Sequence, residues 1–245
     1  MSRHASARSS RNHAKTRIFK AFDQYGINPL FKVGAIQPTK GRGGARNVRG
    51  LSTEALTERQ CRELVEAMQH AERIGHPFNR FLTITWERSG IDPRDNARAA
   101  GRFIKMASDW MRARGCRLRW AWVQESSNRF GAHVHMLLHV SPDLEPLFGP
   151  MPTRWVRRIV EAGYVGKTTQ SQRVPYPLNA GDLASLDAYR AEVAGKVHYM
   201  LKAAPAALEA RLGLLGAGPK PWGKSCRVFG KRLAIWQGWR TDPGG

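Results

Sequence analysis

Between Thr57 and Gly75 apolar residues recur at helical spacing, Cys61, Leu64, Val65, Met68 and Ala71, and Thr57 with Gln60 forms a capping box at the start. An amphipathic helix is predicted. The period then changes: Arg80–Trp86, RFLTITW, alternates between Pro77 and Gly90 and predicts a central strand. Asp92–Gly115 returns to the helical period, with Phe103, Ile104, Ala107, Trp110 and Met111 facing inward. The strongest apolar pattern follows in WAWVQESSNRFGAHVHMLLHV, from Trp120 to Val140. Two β-rich runs, Trp120–Glu125 and Ala132–Val140, flank turn chemistry in Ser126, Ser127, Asn128, Arg129 and Gly131, which predicts an antiparallel hairpin. Strand, helix and hairpin give a β-α-β-β order. Thr153–Ala162 reads as a short basic helix and Tyr164–Val174 as a polar strand ended by PYP. Asp182–Ala204 is the last strong helix, with Leu183, Leu186, Val193, Val197 and Leu201 near one face.

Composition changes this picture mainly through charge. At 245 residues and 42% hydrophobic content the chain can bury a real core, as one domain with extensions or at most two small domains. Lys and Arg number 40 against 19 acids, a formal net charge of +21 that suits a polyanion, most simply nucleic acid. The first fifty residues hold eleven Lys and Arg, with Asp23 as their one acid. With the run GRGGAR, they read as a basic flexible arm (1–50) that grips phosphates. An organellar transit peptide has the same composition. Residues 51–204 then hold the patterned domain, and 205–245 form a basic, aromatic extension. There Trp222, Phe229, Trp236 and Trp239 alternate with Lys224, Arg227, Lys231, Arg232 and Arg240. Those rings either stack bases or pack onto the sheet. The three cysteines show no C-x-x-C pair, and no apolar run approaches a membrane span, so a cytoplasmic protein is expected.

Chemistry concentrates on the hairpin. His133 and His135 share one strand face and Val134 takes the other. Pairing Glu125 opposite His133, or opposite Gly131, puts the carboxylate on that face too. Two imidazoles and one carboxylate suit a divalent ion and leave positions open for water or a phosphate oxygen. Surface strands often carry histidine, so H-x-H alone is also read as structural. His139 shares the parity but lies further along the strand, as a supporting or sheet-face residue.

On the last helix, Tyr199 has Lys196 three residues before it and Lys202 three after it. A phenol of pKa about 10 needs nearby cations or a metal to act as a nucleophile at neutral pH. The alternative is a ring packed on the helix with its hydroxyl wetted.

Taken together, FLTITW, a glutamate eight residues before H-V-H, and Y-M-L-K on a later helix resemble the HUH endonucleases, specifically rolling-circle replication initiators. The likeness covers Phe81–Ala204 and extends weakly to GKSCRVFGKRL. It implies an α+β fold, a central antiparallel sheet of RRM-like topology flanked by helices. It further implies His133, His135 and Glu125 as ligands of Mg²⁺ or Mn²⁺, Tyr199 as nucleophile and Lys202 as its helper. Nicking and rejoining of single-stranded DNA at a replication origin, alongside a host helicase and polymerase, is the implied activity. Only one tyrosine lies in the nucleophile motif, since Tyr189 is ten residues back, so a two-tyrosine mechanism is not expected. Relaxases usually place the tyrosine before the histidines, whereas transposases of this chemistry keep the order seen here. A non-catalytic nucleic-acid-binding module is the alternative from another class.

Overall fold

Five strands form one sheet in which every neighbouring pair runs antiparallel. The computed structural model describes residues 51–176, 182–205, 208 and 227–242. In chain order the elements are β1 (Ser52–Thr53), α1 (Glu58–Arg73), β2 (Arg80–Ile84), α2 (Asn96–Arg112), β3 (Trp120–Ser127) and β4 (Gly131–Leu138). There follow α3 (Glu145–Phe148), α4 (Met151–Val160), β5 (Thr169–Arg173), α5 (Leu183–Met200), β6 (Val228–Phe229) and β7 (Leu233–Ile235). The sheet order is β5-β2-β4-β3-β7. Stripped of β7, this is the β-α-β-β-α-β arrangement of an RRM-like sheet, as expected.

Alternation along the strands divides the core into two layers. Leu82, Ile84, Trp122, Val134, Met136 and Leu138 pack with α2 and α4. Phe81, Ala121, Val123, Leu137 and Leu233 face the other way, against Leu64, Val65 and Met68 of α1 and Val193, Val197 and Met200 of α5. The Thr57–Gln60 capping box forms as predicted.

Several boundaries differ from the sequence expectation for local reasons. Strand β2 ends at Ile84, because Trp86 is fully buried and starts a short 3-10 turn. The predicted strand from Tyr164 begins only at Thr169: Thr168 Oγ1 donates to Val165 O at 2.7 Å, and Lys167 has φ 67°. On α5 the buried stripe is Tyr189, Val193, Ala194, Val197 and Met200, while Leu183 is 69% exposed. Periodicity gives the direction of a side chain, not whether a partner lies opposite the first turn.

The C-terminal segment returns to the sheet. Strand β7 pairs with β3, and β6 pairs with β1 through Ser52–Phe229 and Thr53–Val228. Trp236 is buried edge to face against Phe78, and its indole N–H donates to Asp242 at 3.2 Å. Asp242 also receives the Arg119 guanidinium in a buried pair at 3.1 Å. Packing, not base stacking, is therefore the role of Trp236. Trp222 and Lys224 lie outside the described residues, as do residues 1–50.

Candidate metal centre and its surroundings

The centre is built by one hairpin and one strand beside it. Glu125 pairs with His133 across β3 and β4, the first of the two registers that the sequence allows, and Val123 pairs with His135. His135 in turn lies opposite Thr83 of β2. All three candidate ligands are buried on the α1/α5 side of the sheet. A three-residue turn, 128–130, joins the strands, and Gly131 closes it at φ 67°. A Cβ at Gly131 would run into the Glu87 carboxylate, which accepts the Ala132 N–H at 2.5 Å.

Hydrogen bonds set the direction of the imidazoles. His133 Nδ1 donates to Gly131 O at 2.8 Å, and His135 Nδ1 lies 2.9 Å from Thr83 Oγ1. With Nδ1 engaged in each ring, Nε2 is left to bind, which is how an outer partner orients a metal-ligating histidine. The two Nε2 atoms lie 3.4 and 3.3 Å from Glu125 Oε2. The ligand atoms of the three residues all lie within 4.8 Å of one another.

The donor set fits a divalent cation. Both carboxylate oxygens of Glu125 and Nε2 of His135 are buried without a well-formed hydrogen bond, an arrangement that is costly unless something positive sits among the lone pairs. Burial holds His135 neutral by pushing its pKa down to about 4, against the pull of the Glu125 carboxylate. Burial alone would raise the Glu125 pKa, but the adjacent imidazoles and the Lys202 ammonium outweigh it and hold the carboxyl well below the usual range. The group therefore presents a neutral His135 imidazole and an ionised carboxylate at neutral pH, the protonation states that metal binding requires.

Helix α5 brings the remaining predicted residues to the same place. Tyr199 lies in its last turn, half-buried, with its ring 4.8 Å from that of His135 and 6.4 Å from that of Phe81. Lys202, just past the helix end, touches Glu125 Oε2 and lies 4.4 Å from the centre of the Tyr199 ring. Lys196 donates to Gln172 Oε1 at 2.8 Å and sits 5.1 Å over Phe81. His139 stands apart at the opposite end of β4, where Nδ1 donates to Pro77 O at 2.8 Å and His76 lies 3.3 Å away. Tyr189, the other tyrosine of α5, is 2% exposed, and burial beside Glu72 and Tyr176 raises its pKa well above the ordinary value.

Three residues were not singled out by sequence. Arg232 is 1% exposed, donates to Thr53 Oγ1 at 3.0 Å and to Thr53 O at 2.6 Å, and lies close enough to Glu125 to feel its charge. Gln124, fully buried on the opposite sheet face, ties Phe229 O and Lys231 O to β3 at 2.6 and 2.7 Å. Thr83 orients His135. A polar residue inside an apolar strand run was the available signal for Gln124 and Thr83; Arg232 looked like one more solvated charge.

Residues 79–180 match the model of a family described as Replication-associated protein ORF2. No curated protein and no solved structure matches the chain. The matched span runs from β2 through β5 and holds Glu125, His133 and His135. It stops before α5, so the setting of Tyr199 and Lys202 rests on geometry alone.

Proposed function

We propose that this chain is a metal-dependent nicking and rejoining enzyme of the HUH type, acting on single-stranded DNA at a replication origin to initiate rolling-circle replication. The observation that carries the reading is the convergence, on one buried point, of a Glu-His-His ligand group with a tyrosine and a lysine from a separate helix. The similarity of residues 79–180 to a replication-associated family and the charge of +21 support DNA as the substrate.

In this reading Glu125, His133 and His135 hold Mg²⁺ or Mn²⁺, which when bound polarises a non-bridging oxygen of the scissile phosphate. Tyr199 Oη attacks the phosphorus in line. A P–Oη bond forms, the P–O3′ bond breaks and the phenol proton leaves to solvent. The Lys202 ammonium, already beside both Tyr199 and Glu125, supplies a proton to the departing 3′ oxygen. The products are a 5′-phosphotyrosyl protein and a free 3′-hydroxyl that can prime synthesis. Attack by a 3′-hydroxyl on the phosphotyrosine reverses the step without ATP, because the phosphodiester energy is retained. Circular single-stranded DNA incubated with the protein, with and without Mn²⁺, tests the reading: linear DNA appears only with the metal. Intact circles under both conditions argue for a non-catalytic nucleic-acid-binding module.

A further inference from the structure

The end of the sheet that carries Glu125 and His133 is also where its loops are tied to one another. Glu87 accepts from Ala132 at the base of the hairpin turn. Arg88, the next residue, donates from Nε to Gly166 O at 3.1 Å, and Ser89 Oγ and Thr168 Oγ1 share a buried hydrogen bond of 2.7 Å. The 128–130 hairpin tip, the 87–89 turn and the 163–168 turn thus form one rim beside the Glu125–His133 pair. Arg88, Arg129 and Lys167 are exposed along it.

Phe130 stands on this rim with 54% of its surface in solvent. It is nonetheless held in place. Its N–H donates to Ser127 Oγ at 3.2 Å, and the Arg129 guanidinium lies 5.0 Å from the ring centre. A large apolar ring left in water at a turn adds nothing to the core. An exposed π-face flanked by cations matches the two halves of a nucleotide, the base on the ring and the phosphate on the guanidinium. Position agrees with this chemistry. Phe130 is three residues from His133, about 10 Å at ~3.3 Å per strand residue. A single strand with one phosphate at the ligand group therefore carries a neighbouring base to this ring.

We infer that Phe130 is a base-stacking platform for the single strand that crosses this rim, with Arg129 bracing the ring and meeting the backbone. The identity of the central phosphate rests on the nicking function proposed above. Stacking accepts every base, so Phe130 contributes to hold and register and not to sequence choice.

Binding of two labelled oligonucleotides of equal length, an oligothymidylate and an abasic deoxyribose-phosphate chain, tests this directly. Measurements are made in chelator, where no metal-dependent cleavage occurs, on wild type, F130A, F130L and F130W. Wild type should prefer the base-bearing strand. F130A and F130L should lose roughly 5- to 100-fold in affinity for it, the range for one stacked base, with the abasic affinity held within about twofold. F130W should restore the preference. Leucine keeps apolar bulk without a π-face, so it separates stacking from mere packing. An equal loss for both strands, or no loss for either, overturns the platform. Failure of the nicking reading is visible separately, as absence of cleavage in Mn²⁺ by the wild type.

Discussion

His135 and Tyr199 meet edge to face, ring centres 4.8 Å apart, one from the middle of a strand and the other from the last turn of a helix much later in the chain. This contact joins the ligand group to the proposed nucleophile. Lys202 makes the same connection through charge, since its ammonium touches Glu125 while lying 4.4 Å from the Tyr199 ring.

Binding and chemistry rest on different residues. His133→Ala and His135→Ala should abolish Mn²⁺-dependent cleavage and the rise in Tm that Mn²⁺ gives the wild type, while affinity for single-stranded DNA stays salt-sensitive and largely intact. Glu125→Ala should lose about 10- to 100-fold in metal affinity, because a water can take one ligand position. Calorimetric titration with Mn²⁺ checks this, and wild-type binding by the double histidine variant would rule out the metal centre.

Acid should destabilise the fold before the carboxylates titrate. His135 and His139 are buried neutral, each with its pKa lowered from 6.5 to about 4, so the unfolded chain binds more protons between those values. Their stabilising contribution is complete above pH ~6.5 and is lost as pH falls toward 4, with a slope of up to about 1.4 kcal/mol per pH unit for each histidine. Glu125, whose pKa is lowered from 4.5, adds a loss of the same sign at lower pH. Urea unfolding in chelator between about pH 7 and pH 4.5 should show this slope, and His139→Asn should reduce it by about half.

The C-terminal anchor is structural. Asp242→Ala leaves the Arg119 guanidinium, 4% exposed, buried without its carboxylate and removes the acceptor of the Trp236 indole. A loss of about 3–5 kcal/mol in urea unfolding is expected, as for a broken buried pair. A change under about 1 kcal/mol would mean that the segment after Ile235 is not needed for the fold.

The basic arm is predicted to act on phosphates. A chain beginning at Leu51 lacks eleven Lys and Arg and should bind non-specific single strands more weakly. The slope of log K against log salt should be shallower by about 0.7 for each phosphate that the arm neutralises in the full chain. An unchanged slope would favour the transit-peptide alternative for this segment.

Much of the site was legible because it depends on local rules. Strand alternation placed His133 and His135 together, and the short hairpin turn limited Glu125 to two registers on their face. The capping box and apolar spacing likewise located α1, and the helical period located α5. What stayed hidden was long-range. Strands β6 and β7 have two and three residues, too few to show a period, and they pair with partners far away in the chain. Arg232 is buried only because those strands close over it. The approach of Lys202 to Glu125 likewise depends on how α5 docks on the sheet, which spacing within the helix does not reveal.

The central claim is that Tyr199 becomes covalently joined to the 5′ side of the nick. Mass spectrometry of the denatured protein after reaction with circular single-stranded DNA and Mn²⁺ should locate a 5′-phosphonucleotide on the peptide that carries Tyr199. Tyr199→Phe should bind DNA and metal normally and form no adduct, while Lys202→Ala should form it about 10²- to 10⁴-fold more slowly. An adduct on Tyr176 or Tyr189, or metal-dependent cleavage with no adduct at all, would contradict it.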